Sequence, residues 1–161
     1  VVTIALLARL LVVAWSDGRF PPAADGVYYD TLARRLVGGA GYTWLWPDGA
    51  VTYAAHYPVG YPALLAMVYR LGGPSWLAAG ALNALLGAAS ALAVHRLVLA
   101  ASSPRWALAA GLAIAVHPGL VAYTPALMTE GVTAALLACG AWCAAQRSRG
   151  GCIALGLVMG L

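Results

Sequence analysis

Trp76-Leu-Ala-Ala-Gly80-Ala-Leu-Asn83-Ala-Leu-Leu-Gly87-Ala-Ala-Ser90-Ala-Leu-Ala-Val94 runs for nineteen residues without a charge. A helix of that length rises about 28 Å, close to the ~30 Å of hydrocarbon in a bilayer. Its small residues Gly80, Ala84, Gly87 and Ala88 fall on neighbouring faces. Such faces let membrane helices approach closely, so the stretch reads as one member of a bundle and not as an isolated anchor. Asn83, and His95 just beyond the stretch, read as polar groups that hydrogen-bond between helices.

Working outward, residues 1–15 form another apolar segment. It contains Arg9 and is not followed by a small-residue cleavage site, so it reads as a membrane helix and not as a removed signal. Arg9 and Arg70 are expected to snorkel toward the membrane boundary. Residues 16–57 are a long polar and aromatic loop. Residues 61–71 are apolar and end at Gly72, Gly73 and Pro74, but span only about 16 Å as a helix. On the other side, residues 96–105 read as a short basic connection. An apolar segment at 106–116 is broken at His117-Pro118-Gly119, where proline removes a donor and glycine loosens the chain. Residues 126–145 form a further span, 146–151 a second basic turn, and Ile153 opens a last helix. The sequence therefore predicts an all-α, polytopic transmembrane bundle with a long first outer loop. It divides into a membrane helix (1–15), the outer loop (16–57) and membrane helices (58–161). Both ends read as cut, as in the N-terminal part of one larger domain. No internal repeat is visible.

Excess basic charge marks cytoplasmic loops, which places 96–105 and 147–149 inside and 123–130 near the outer face. If 16–57 is also outside, 61–94 must cross an odd number of times. A re-entrant or tilted piece at 61–71, or a failure of the charge rule, are the open alternatives.

Composition supports the membrane reading. Of the 161 residues, 63% are hydrophobic and only 9% are charged, against roughly 25% in a soluble domain. A soluble core of this size cannot hide that much apolar surface. All nine basic residues are Arg, and the net charge of +4 is scattered. That pattern gives no basic stripe and argues against a nucleic-acid partner. Cys139, Cys143 and Cys152 sit among small apolar residues. Cys139 and Cys143 share a helix face, but no acid or histidine stands near to complete a metal site, so they read as small buried residues.

The acids are the most informative residues. There are five, and Asp17, Asp25, Asp30 and Asp48 all fall in the outer loop, leaving only Glu130 elsewhere. Nine of the fifteen aromatics lie between Phe20 and Tyr61. A plain connection would be shorter and less aromatic. Within the loop, residues 25–37 read as an amphipathic helix lying along the interface. Tyr28, Leu32 and Leu36 recur every four residues; Asp30, Arg34 and Arg35 lie away from that stripe, and Gly38 and Gly39 end the helix. The arginines of such a helix can meet lipid phosphates. Asp25 has two readings. It can be a helix cap, or it can be a general base held at the water–membrane boundary. His56-Tyr57-Pro58-Val59-Gly60-Tyr61-Pro62 fixes the backbone as the chain returns to the membrane. Tyr57 and Tyr61 read either as aromatic-belt residues, or His56 and Tyr57 contact a phosphate or sugar. Glu130 is either a functional membrane acid or an ordinary helix start.

Asp25-Gly-Val-Tyr28-Tyr-Asp30-Thr-Leu-Ala-Arg34-Arg35-Leu-Val-Gly-Gly-Ala-Gly41-Tyr42, then Tyr57-Pro58-Val59-Gly60-Tyr61-Pro62-Ala-Leu-Leu-Ala66, resembles the GT-C membrane glycosyltransferases. Within these it is similar to bacterial protein mannosyltransferase-like and lipid A aminoarabinose transferase-like proteins, the RgtA/B/C/D-like group among them. The resemblance extends to element order and covers essentially the whole chain. It implies a polyprenyl-phosphate sugar donor, an envelope acceptor, and an active site on the outward face of the bacterial plasma membrane. It makes Asp25 the catalytic base and Glu130 a second acid, and it places His56 and Tyr57 near the donor phosphate. The chain departs from the pattern in two places: the acid–lysine pair of the aminoarabinose transferases is absent, and Gly26 stands where many relatives have a second acid.

The leading expectation is thus an inverting glycosyltransferase with Asp25 as base. Tyr28, Arg34, Arg35, His56, Tyr57 and Glu130 are its candidate substrate-binding residues, and the partners are membrane lipids and the lipid-linked sugar. No cofactor is identifiable, and nothing in the sequence supports a divalent metal. The alternatives are a polytopic transporter, favoured by the break at His117, and a non-catalytic envelope-assembly subunit.

Overall fold

The computed structural model describes residues 1–17, 19, 23–146, 150, 151, 153, 154 and 156. Among them are seven helices and one hairpin: α1 (Val2–Ser16), α2 (Asp25–Val37), β1 (Thr43–Leu45), β2 (Val51–Tyr53), α3 (Gly60–Gly72), α4 (Trp76–Ala101), α5 (Pro104–Ala115), α6 (Pro118–Ala122) and α7 (Thr129–Ala145). Of the basic turn expected at 146–151, residues 147–149 lie outside the described residues. Gly150, Gly151, Ile153, Ala154 and Gly156 are helical.

Helix α4 is the axle of the fold and packs against α1, α3, α5 and α7. Ser75 starts it, its Oγ accepting from the Ala78 N–H at 3.0 Å. The helix continues past Val94 and Arg96 to Ala101, so the basic connection is shorter than expected. A single arginine does not end a helix. The stop is Ser102-Ser103-Pro104, with proline seated in the first turn of α5. At 26 residues, α4 is the one described helix long and apolar enough to cross a membrane; α1 and α7 are shorter apolar helices.

Small residues bring its neighbours close, as the sequence indicated. A Cβ on Gly80 would fall 2.5 Å from Val13 of α1, and one on Gly111 of α5 would fall 2.9 Å from the His95 Cβ. One core cluster is nearly all alanine (Ala5, Ala88, Ala91, Ala115). The other, nearer α2 and α3, is built from Tyr29, Ala33, Tyr61, Leu65, Tyr69 and Leu127, among others.

Arg9 corrects an expectation. It does not snorkel: the middle residue of α1 is 1% exposed. Gly87 makes this possible, because a Cβ there would stand 2.1 Å from the Arg9 Nε. The break after α5 makes it stable. With Pro118 interrupting the helix, the last carbonyls of α5 lack intrahelical donors. Arg9 supplies them, Nη1 donating to Ala115 O at 2.8 Å and Nη2 to Ile114 O at 3.1 Å. A third bond runs from Nη1 to Ala5 O at 3.1 Å.

The end of α1 (Trp15, Ser16), the approach to α2 (Ala24), the start of α4 (Trp76) and the run into α7 (Leu127, Met128) line one shared cavity. They therefore occupy one end of the bundle. The chain is at this end both when α1 finishes and when α4 begins, so α3 does not take it to the far end of the bundle, and α4 leads away from it.

Helix α2 has the expected bounds, but its buried face is rotated. Gly26, Tyr29, Leu32 and Ala33 are buried, while Tyr28 and Leu36 are only half-buried. Helix α3 lies on the first face and draws Tyr29 into the core, which leaves Tyr28 turned to the hairpin. The sequence indicates only loop where this hairpin forms. Thr43 pairs with Tyr53, Trp44 with Thr52 and Leu45 with Val51. Its turn is Pro47-Asp48-Gly49, where Asp48 Oδ1 accepts from the Ala50 N–H at 3.0 Å and Gly49 takes φ +86°.

Candidate functional site

Asp25 is the first residue of α2, and the position before it is Ala24. Ala24 holds φ +47°, a left-handed value that alanine rarely adopts. No side chain caps this helix. Instead the Gly26 and Val27 N–H groups donate to the Ala23 and Ala24 carbonyls at 3.0 and 3.1 Å. The capping reading of Asp25 therefore fails: turn-type backbone bonds do that work, and the carboxylate is left exposed.

What holds Asp25 is Tyr57, whose hydroxyl donates to Oδ1 at 3.0 Å. The Tyr57 ring stacks on Tyr28 with centroids 4.8 Å apart and planes at 19°. It also meets the Tyr29 ring edge-on at 5.5 Å. Tyr28 in turn packs on Trp44 of β1 at 4.5 Å, and His56 lies edge-on to Tyr57 at 4.9 Å. Tyr42, just before β1, donates to the carbonyls of Tyr57 (2.9 Å) and Pro58 (3.1 Å), fixing the turn that presents Tyr57. Desolvation, and then the Asp25 carboxylate, push the Tyr57 phenol up to about 12. It thus stays a donor throughout the neutral range. Desolvation also raises the Tyr42 phenol.

Asp25, Tyr28, His56 and Tyr57 are thus brought together. Arg34 and Arg35 are not: they sit in the last turn of α2, about 14 Å along its axis from Asp25. Both have local partners. Arg34 Nε bonds Asp30 at 2.8 Å with its guanidinium over the Tyr69 ring, and Arg35 donates to Thr43 Oγ1 at 2.8 and 3.0 Å. Glu130 is an exposed residue in the first turn of α7, where a negative charge suits the helix dipole. The segment before it is nonetheless at the site, because a Cβ on Gly26 would fall 3.3 Å from the Leu127 carbonyl oxygen. An acid at 26 would crowd that carbonyl, which accounts for glycine there.

Two features escaped the sequence reading. Asp30, placed on the solvent side of its helix, is a second phenol-bound carboxylate: Tyr69 donates to its Oδ1 at 2.7 Å. Tyr69 is 39 positions away and no local pattern points to it. The other feature is the shared cavity, about 680 Å³, lined mainly by apolar side chains including Val12, Trp15, Trp76, Leu127 and Met128. It begins at Ala24, the residue bonded to Asp25. Tryptophans at the two helix ends were its only sequence signal. Among the described residues no three of His, Cys, Asp and Glu gather to hold a metal, and Cys139 and Cys143 are free thiols.

The arrangement offers an exposed carboxylate oriented by a neutral phenol, a flat aromatic surface beside it, and an apolar recess next to it. Compared with models of known families, with curated proteins and with solved structures, the chain matches none.

Proposed function

We propose that the protein is an inverting membrane glycosyltransferase of the GT-C type, with Asp25 as general base on the outward face of the bacterial plasma membrane. The reading carries with it a polytopic bundle in which α1, α4, α5 with α6, and α7 cross the bilayer. The acceptor hydroxyl loses its proton to Asp25 as its oxygen bonds to the anomeric carbon. The bond from that carbon to the phosphate oxygen breaks, and polyprenyl phosphate leaves. Tyr57 orients the carboxylate, and Tyr28 with Trp44 offers the sugar a stacking surface. The observation that supports this reading most is that Asp25 is freed from capping and held by Tyr57 beside an apolar cavity, which suits a polar reaction on a lipid-linked substrate.

Membranes containing the full-length protein, given labelled polyprenyl-phosphate sugars, are expected to yield a glycosylated product. Asp25→Asn is expected to cut its formation by about 10²- to 10⁴-fold while insertion stays normal. Undiminished transfer by that variant removes Asp25 from the role.

The broken helix at His117 favours the transporter reading, since unwound carbonyls bind coupling ions in such proteins. Here Arg9 takes the two carbonyls at the break, which leaves a cation little to bind. Flux in proteoliposomes without glycosyl product decides for that alternative.

A further inference from the structure

The far end of the bundle, where α4 and α7 finish and α5 starts, carries basic charge without acids to balance it. Helix α4 sets out from the cavity end at Trp76 and reaches Arg96 about 30 Å later. Arg105 lies in the first turn of α5, and Arg147 and Arg149 follow α7 in sequence. No Asp or Glu stands between Asp48 and Glu130, or anywhere from Gly131 to Leu161. Glu130 itself starts α7, about 24 Å along that helix from Gln146. Salt screens exposed charges beyond about 8 Å, so Glu130 does not answer these arginines.

Arg96 is exposed and has no hydrogen-bond or ion-pair partner among the described residues. Nor does it serve a helix dipole, since neither α4 nor α7 has a basic residue in its last turn. Its side chain instead lines an open pocket of about 340 Å³ between α4 and α7. That is roughly ten times the volume a water molecule takes up, room for a phosphodiester with its glycerol. Part of the wall is polar: Arg96, the exposed Gln146 amide and the half-buried Trp142 indole. The rest is apolar and includes Leu97, Leu99 and Ala145. A guanidinium grips a phosphate as a two-pronged fork, and an indole suits the level of lipid headgroups. A soluble anion has no use for the leucines, whereas a lipid has.

We propose that this pocket seats one anionic phospholipid of the phosphatidylglycerol kind in the cytoplasmic leaflet. Its phosphate lies on Arg96 and Gln146, and the first carbons of its chains lie along Leu97 and Leu99. The site goes beyond the glycosyl-transfer reading and rests only on α4 crossing the bilayer.

The test follows thermal unfolding of the full chain in detergent micelles doped with palmitoyl-oleoyl phosphatidylglycerol or with the matching phosphatidylcholine. The expected result is a saturable rise of about 3 °C in the midpoint with the anionic lipid over the zwitterionic one. Arg96→Gln should abolish that difference, while Arg105→Gln, outside the pocket, should keep most of it. Equal midpoints in the two lipids overturn the proposal. So do equal losses in the two variants, which mean diffuse charge attraction and no site. A rise of the same size from glycerol 3-phosphate added to phosphatidylcholine micelles puts a soluble anion in the pocket and overturns the lipid. Flotation with phosphatidylcholine vesicles after detergent removal checks the premise separately. Protein that floats but shows no lipid preference loses the site alone; protein that stays behind with both lipids loses the membrane placement and the site together.

Discussion

The carboxylate end of the molecule and the middle of its bundle hold their charges in opposite ways. At the end, Asp25 and Asp30 each accept a hydrogen bond from a tyrosine hydroxyl, and Asp25 keeps its remaining lone pairs toward solvent. In the middle, Arg9 is enclosed and bonded to backbone at a helix break. An exposed carboxylate keeps lone pairs free for an incoming donor, whereas a guanidinium presents only a planar fork of donors. The first arrangement suits chemistry; the second suits fixing helices to one another.

That contrast can be broken in graded steps. The largest effect is expected on turnover, from Asp25→Asn, which should leave the unfolding midpoint nearly unchanged; a large fall in midpoint would make Asp25 structural, like Arg9. Next comes Gly87→Ala, which drives a methyl into the Arg9 guanidinium and should cost about 3 kcal/mol, read from denaturant unfolding in micelles. A neutral result there would mean that Arg9 has another place to go. Arg9→Met keeps bulk but strands the Ala115 and Ile114 carbonyls, for a loss of about 2 kcal/mol in the same measurement. Asp30→Asn removes an ion pair and weakens an acceptor at the partly exposed α2–α3 contact, and should cost only about 1 kcal/mol.

The smallest effect belongs to Tyr57→Phe, which preserves the ring stack and removes one hydroxyl at the surface, and should leave the unfolding midpoint at neutral pH nearly unchanged. Its pH behaviour is more telling. The Tyr57 phenol is raised from its ordinary 10 to about 12, so its contribution to stability is complete below pH 10 and is lost as pH rises through about 12. Phenolate absorbance of the wild type against Tyr57→Phe should show one tyrosine titrating late. A difference spectrum with its midpoint near 10 would mean that the bond to Asp25 does not form in solution.

Much of the helical framework was legible because it is local. Residues 25–37 carry their own periodicity and glycine stop, and the uncharged run after Ser75 is helical wherever it packs. The hairpin was missed although Pro47-Asp48-Gly49 signals a turn, because three-residue strands leave too little alternation to read. Arg9 was misplaced because the residue that admits it, Gly87, and the carbonyls that bind it, at 114 and 115, are distant in sequence. The site was half legible for the same reason. Asp25 stood out by its setting, but its freedom from capping depends on the backbone at Ala23 and Ala24, and its partner Tyr57 lies 32 residues on.

Tyr42 grips two consecutive carbonyls, at 57 and 58, from the root of the hairpin. Ribbon and turn are thereby tied together, with Trp44 on one side of the tie and the Tyr57 hydroxyl on the other. A substitution that frees Tyr42 would therefore loosen the indole surface and the Tyr57 hydroxyl together.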